Sequence, residues 1–273
     1  MNDKIFKKIL GEDDMKVSEF MTKDIITVDK DENLKHVLNL MKKYQITKIP
    51  VLENKKLVGM VTDNIIAYKL GSIRKKGIPA SRLHASSVID KEIECVSPDI
   101  DIKMILEKVG KPGPTMLCVV ENDNLVGVLT KADLLPLVTS NKQVREIMNK
   151  KIITISSDDR VIHARRIMID QNLARLPVVN QGKLVCIISD NEIAFALAEV
   201  KGSYPLGRQK HQLDELLVGD VMKSPVVWTE PNITAKDAAI IMLKNNAGAL
   251  PLIEYGKLVG IISRTDLLKT IHY

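Results

Sequence analysis

Four times along the chain two short apolar runs flank a polar turn, and each time the second run leads into a helical pattern. The last instance, ALPLIEYGKLVGIISRTDLL at 249–268, shows it most clearly: apolar runs at 250–253 and 258–262 bracket a turn at 254–257. Apolar runs at that separation predict a β-hairpin. Ser263 closes the second run and stands three residues before Asp266 at the opening of the helical pattern. A strand therefore delivers a hydroxyl and a carboxylate to a helix N-terminus, where free N–H groups and the macrodipole favour an anion.

The register is kept without gaps. Nine residues after Pro50, Cys118, Pro177 and Pro251 come Gly59, Gly127, Cys186 and Gly260, and three further on Thr62, Thr130, Ser189 and Ser263. Twenty-three residues upstream stand Thr27, Cys95, Thr154 and Trp228, each in or beside a β-branched run, with a helical pattern filling the gap. In the first repeat that pattern is Leu34, Val37, Leu38 and Met41, one amphipathic face. Each repeat thus predicts strand, helix, strand, strand, helix. Self-similarity of this kind means that each repeat buries its apolar face against a neighbour. The longer gaps follow the first and third repeats, which predicts two halves, each a pair. Repeats one and three share Asp-Asn after the hydroxyl (Asp63-Asn64, Asp190-Asn191), whereas repeats two and four carry Asp133 and Asp266.

These motifs, VSEFM at 17–21 with IITV at 25–28, LPVV at 176–179 and LVGIISRTDL at 258–267, resemble the text of CBS domains, the module named after cystathionine β-synthase. The resemblance runs from Met15 to His272. It implies an α/β (α+β) fold of four tandem CBS domains forming two Bateman modules in a pseudo-symmetric disk, as in the gamma subunit of AMP-activated kinase. The expected boundaries are an N-terminal arm at 1–14 and domains at 15–68, 83–138, 142–198 and 214–273.

Composition narrows the class. A chain of 273 residues suffices for two ordinary cores. No apolar run is long enough to span a bilayer, and the first fourteen residues lack the apolar core of a secretory signal. Cys95, Cys118 and Cys186 are odd in number and widely spaced in expected strands, which argues for free thiols in a reducing cytoplasm. The net charge of +6 is a mild bias, and 3% aromatics leave few stacking platforms, so nucleic acid is not indicated though it stays open as a partner. The basic stretches at 68–84 and 201–211 read as exposed connectors. His163, Arg165 and Arg166 read as a solvent-facing set, and a broken loop is expected at 111–114.

Enzyme and metal motifs are missing: no GxxxxGK(S/T), HExxH or GxSxG occurs, and the five histidines lack a matched nucleophile. No catalysis, catalytic cofactor or metal is expected. The informative pairs are Thr130 with Asp133 and Ser263 with Asp266. Ser189 with Glu192 is a weaker version, and repeat one has Ile65 in the acid's place. On spacing alone these are capping boxes that need no ligand.

The resemblance supplies the other reading. In that family the hydroxyl touches phosphate, the acid binds both ribose hydroxyls of an adenine nucleotide, and a basic residue two before the proline meets the phosphate. Lys48 and Arg175 hold that basic position, where Met116 and Ala249 stand in the other repeats. Lys48 would complete a site with Asp133, and Arg175 one with Asp266. The base would lie along Glu94, Cys95 and Val96 and along Val227, Trp228 and Thr229, with Thr27 and Thr154 as weaker counterparts.

The expectation is a sensor of AMP, ADP or ATP acting on an unidentified regulated protein, as a monomeric disk or a homodimer and without a membrane. Three rivals stand beside it. A CBS protein for S-adenosylmethionine or methylthioadenosine would use the same acids without a phosphate. A ligand-free scaffold would bind protein or nucleic acid through its basic connectors. The third is a fragment related to inosine-monophosphate dehydrogenase.

Overall fold

The structure, a computed structural model, describes residues 15–72, 82–109, 116–204, 206–222 and 225–271. The expected N-terminal arm, the loop at 111–114 and most of the first connector lie outside the described residues.

In repeat one, β1 (Val28–Asp29) is followed by α1 (Leu34–Tyr44), β2 (Lys48–Glu53), β3 (Lys56–Thr62) and α2 (Asp63–Ser72). Repeat two has β4 (Cys95–Val96), α3 (Ile102–Val109), β5 (Met116–Glu121), β6 (Asn124–Thr130) and α4 (Lys131–Leu134). A short helix α5 (Val144–Ile147) leads into repeat three, with α6 (Val161–Asp170), β7 (Arg175–Asn180), β8 (Lys183–Ser189) and α7 (Asp190–Ser203). Helices α8 (Leu206–Glu215) and α9 (Val218–Val221) precede repeat four, built from α10 (Ala235–Lys244), β9 (Ala249–Glu254), β10 (Lys257–Ser263) and α11 (Arg264–Leu268).

Every hairpin is antiparallel and turns on two left-handed residues: Asn54-Lys55, Asn122-Asp123, Gln181-Gly182 and Tyr255-Gly256. Two such residues match the twist of the strands they join. The register shifts at the same place each time, as between Val51 and Leu52 in repeat one and between Val119 and Val120 in repeat two.

The lead strands hold only in the first half. Val28 pairs parallel with Val51 and Cys95 with Cys118, but repeats three and four keep a single bridge each, Ile155 to Val178 and Thr229 to Leu252. The expected first strands there are corrected to bridges. In repeat one the ladder runs on through Lys30 N–H to the Leu52 carbonyl. In repeat four the matching residue is Pro231, which has no N–H to give; repeat two has Pro98 there but keeps its strand through Cys118 N–H to the Glu94 carbonyl, a donor that Pro251 denies repeat four. In repeat three the Ser157 N–H is taken instead by the Asn180 side chain at 3.1 Å.

The compact units differ from the expected halves. One, the even unit, takes residues up to Ile25, Glu94–Ile152 and Val227 onward; the other, the odd unit, takes Ile26–Ile93 and Ile153–Val226. Each has its own core. The odd core gathers Leu34, Ile49, Ile66 and Leu70 with Leu176, Ile188, Ile193 and Leu197. The even core gathers Ile102, Leu117, Leu129 and Leu134 with Leu250, Leu252, Ile262 and Leu267.

Within each expected half the lead-in segments change places. The lead-in of repeat one packs on repeat two: Val17 N–H donates to Ile100 carbonyl and Thr22 exchanges backbone bonds with Val128. That of repeat two packs on repeat one, where Leu34 N–H donates to Leu83 carbonyl and Asp90 exchanges bonds with Met60. Repeats three and four do likewise, through Val144 with Ile233 and through Val218 with Asp159. The crossing explains the spaced glycines. A Cβ on Gly59 would overlap the Asp90 carbonyl, and on Gly127 or Gly260 it would run into the side chain of Met21 or Met148.

Three surface readings are corrected. Residues 68–72 continue α2. Lys201 is buried within α7, and most of the second connector is helix α8. Arg165 does not simply face solvent: its Nε and one terminal nitrogen donate to the carbonyls of Ala67 and Tyr68 at 3.0 and 2.8 Å, and Gly71 makes room for it. Arg166 is exposed and reaches Asp170 across one turn.

Candidate functional site

Each hairpin ends at a hydroxyl because the second strand stops where the next residues turn helical. Thr130, Ser189 and Ser263 are all extended and cap the helices that follow. Asp133 Oδ2 accepts from the Thr130 N–H and hydroxyl, both at 2.7 Å. Asp266 Oδ2 accepts from Ser263 N–H at 2.9 Å and its hydroxyl at 2.6 Å. Glu192 Oε2 accepts from Ser189 N–H at 3.0 Å and also from its hydroxyl. All three expected hydroxyl–acid pairs are therefore bonded, as capping boxes. Thr62, which faces Ile65 instead of an acid, accepts the Ile65 N–H at 3.1 Å.

The second carboxylate oxygens differ. Asp133 Oδ1 accepts from the Thr22 hydroxyl at 3.0 Å, brought there by the exchanged lead-in. Among the described residues Asp266 Oδ1 has no hydrogen-bond partner. It can take a donor from outside.

The expected base-lining residues split between core and surface. Trp228 and Cys95 are exposed, whereas Val96 and Thr229 are buried and Val227 partly so. Half of the Trp228 surface is open, so it is not a core tryptophan. Thr229 is fixed by its N–H to Pro251 carbonyl and its carbonyl to Ile253 N–H. Thr27 is partly buried and Thr154 exposed. Burial pushes the Cys118 thiol up to about 12, with a smaller push from neighbouring Cys95, which leaves it a core side chain rather than a nucleophile.

Lys48 and Arg175 lie in the odd unit, and Asp133 and Asp266 in the even unit. Strand register sets Lys48 opposite Thr62 and Arg175 opposite Ser189. The next residues, Asp63 and Asp190, start α2 and α7, their N–H groups held by Thr47 and Ala174 carbonyls at 2.9 and 3.2 Å. The pattern of the chain marks these two aspartates as loop or helix-start polar groups, and they start helices. They also enter a charged cluster that the pattern does not announce. Burial raises Asp63 above its ordinary 3.8, against the pull of Lys48 and Arg175. Burial together with the Asp63 charge lifts Asp190 to about 7, opposed by Arg175, a hydrogen bond from the Asn64 side chain, and Lys48. The Arg175 guanidinium is itself lowered by burial and sustained by Asp63, Asp190 and Glu192. The only signal for this in the sequence is the shared Asp-Asn.

At the same positions the even unit has cations. Lys131 is buried and donates to the Thr265 hydroxyl at 2.6 Å; Arg264 donates to the Ala247 carbonyl at 3.0 Å and to Asn246 Oδ1 at 3.2 Å. Among the described residues no group of three potential metal ligands occurs, and no helix is long and apolar enough to cross a membrane.

A family model described as CBS domain matches residues 17–71, 85–140, 144–199 and 218–273. Protein MJ1225 from Methanocaldococcus jannaschii is 24% identical over 274 residues, covering 93% of this chain and 97% of its own. Its crystal structure, described as that of a candidate archaeal homolog of g-AMPK, matches with TM-score 0.80 at 23% identity, over 93% of this chain and 99% of that one. The uncharacterized protein MJ1404 of the same organism is 26% identical over 265 residues, 93% of this chain, and the chain spans only 61% of that protein's length. A crystal structure of an uncharacterized conserved protein from Pyrococcus horikoshii matches with TM-score 0.58 at 20% identity, over 94% and 100% of the two chains. These likenesses establish the architecture.

Proposed function

Because this chain belongs to the CBS-domain family, we propose that it is a non-catalytic sensor that binds adenine nucleotide and reports its occupancy to a regulated protein. The observation that carries the reading is Asp266. One of its oxygens is spent on the cap, the other has no partner among the described residues, and the same repeat exposes Trp228 at the position of its lead strand. A carboxylate oxygen accepts a ribose hydroxyl, and an open indole face offers a base about 1–3 kcal/mol of stacking. Asp133 and Cys95 supply the same positions in repeat two. Lys48 and Arg175, within the odd unit, stand at the position that the family resemblance gives to phosphate.

The capping boxes do not oppose this reading, since a cap engages one oxygen and leaves the other to its surroundings. S-adenosylmethionine or methylthioadenosine could use the same acids but would bring no phosphate to the two cations. Occupancy can shift the chain between states only by the ligand's differential affinity for them, so the regulated partner must distinguish the two forms. The test is calorimetric titration of ligand-stripped protein with AMP, ADP, ATP and S-adenosylmethionine, with Asp133→Asn and Asp266→Asn variants alongside. Phosphate-dependent binding that each substitution weakens is the expected result. Heat from S-adenosylmethionine alone would overturn the nucleotide reading, and silence from every ligand would leave the acids as caps of a scaffold.

A further inference from the structure

The odd unit places its two phosphate-assigned cations among its own acids. Lys48 and Arg175 start β2 and β7; Asp63 and Asp190 start the helices that leave the partner strands, and α2 and α7 pack together in the odd core. Around Asp190 stand Asp63, Asn64, Arg175 and Lys48, and around Asp63 stand Lys48, Arg175 and Glu192. Glu192 is already held by Ser189. Three carboxylates thus face two cations, and one of the three, Asp190, is poised to hold a proton near neutrality. Beside it Asn191 Oδ1 is buried with no hydrogen-bond partner among the described residues.

A phosphate arriving at Arg175 or Lys48 adds negative charge beside carboxylates that burial already penalises. Like charges at close range cannot all stay ionised. We infer that the Asp63–Asp190 pair takes up a proton from solvent when an anionic phosphate binds Arg175 or Lys48, so that affinity for the phosphate-bearing ligand falls as pH rises above neutrality. The step is a proton transfer from water to a carboxylate, with no other bond made or broken. It is peculiar to the odd unit, since Lys131 and Arg264 stand at the equivalent positions in the even one. The inference rests on the nucleotide reading and adds a regulator to it.

Linkage sets the size of the effect: uptake of one proton weakens binding by about tenfold per pH unit between the pKa values of the free and bound forms. The experiment is titration of the whole chain with AMP at pH 7.5 and 8.5, above the second phosphate pKa of about 6, in two buffers of different ionisation enthalpy. The wild type should give a binding heat that differs between the two buffers, reporting uptake of a fraction of a proton that changes with pH. Asp190→Asn should still bind AMP and take up almost none. AMP binding without proton uptake in the wild type would overturn the inference and leave the nucleotide reading standing, as would full uptake in Asp190→Asn. No binding of AMP by the wild type would overturn both.

Discussion

The hydroxyl of Thr22 lies 3.0 Å from Asp133 Oδ1, although 111 residues separate them in the chain. The corresponding oxygen of Asp266 has no such partner among the described residues, so two acids that the sequence treats as equals are unequal acceptors.

Replacing Thr22 by Val keeps the side-chain shape and removes the donor. A hydrogen bond of this kind is worth about 1 kcal/mol net, so nucleotide should bind the Asp133 site about fivefold more tightly. The Asp266 site should not change. Two-site calorimetry on T22V and on T22V/D266N separates the two. Equal affinities in wild type and variant would mean that Thr22 does not compete with the ribose.

Trp228 is the single tryptophan, which makes its emission a reporter of repeat four. Saturating AMP should change its intensity, and Asp266→Asn should abolish the change. Trp228→Ala should cost about 1–3 kcal/mol of binding at that site. An emission spectrum indifferent to bound nucleotide would remove the indole from the site.

The glycines under the lead-in segments make a graded series. Gly59→Ala meets the backbone carbonyl of Asp90, which cannot swing away, whereas Gly260→Ala meets the flexible end of Met148. Overpacking of this sort costs about 1–3 kcal/mol. Urea unfolding should find Gly59→Ala near the upper end and Gly260→Ala near or below the lower. In repeat three Cys186 already carries a side chain at this position.

Stability should also respond to pH through Asp190. Its carboxyl titrates at about 7 in the folded chain and near 3.8 when unfolded, so the folded state holds the proton more tightly. The associated stability is fully present below the unfolded value and is lost as pH climbs through the folded one. Between pH of about 4 and about 7, wild type should therefore lose stability relative to Asp190→Asn, by up to a few kcal/mol. Denaturation midpoints for the two proteins, compared at several pH values, check the sign. A difference that grows toward acid in favour of the variant would contradict it.

Hairpins, turns and capping boxes were legible because each is written within about twenty residues: apolar runs around Tyr255-Gly256, then Ser263 and Asp266 three apart. The charged cluster was not, because Asp63 and Asp190 lie 127 positions apart and meet only when repeat one packs with repeat three. Repeat spacing, which suggested halves, carries no record of that pairing. Arg165 looked like a surface charge for the same reason, since its acceptors belong to α2 in another repeat. The lead strand of repeat four failed locally, because Pro231 and Pro251 both lack an N–H, where repeat one has the Lys30 donor and repeat two the Cys118 donor.

The exchanged lead-ins separate what is inherited from what can be cut out. A fragment of repeat two begun at its own sequence border would keep 83–90, which covers repeat one, and would forgo Val17 and Thr22, which complete its own edge. A repeat excised alone would thus expose Ile102 and Leu129 where a neighbour's segment belongs, and two such fragments mixed in solution would have reason to trade arms. A half of two consecutive repeats would keep its exchanged lead-ins but leave Leu34 and Ile49 without Leu176 and Ile188, and Ile102 and Leu129 without Leu250 and Ile262.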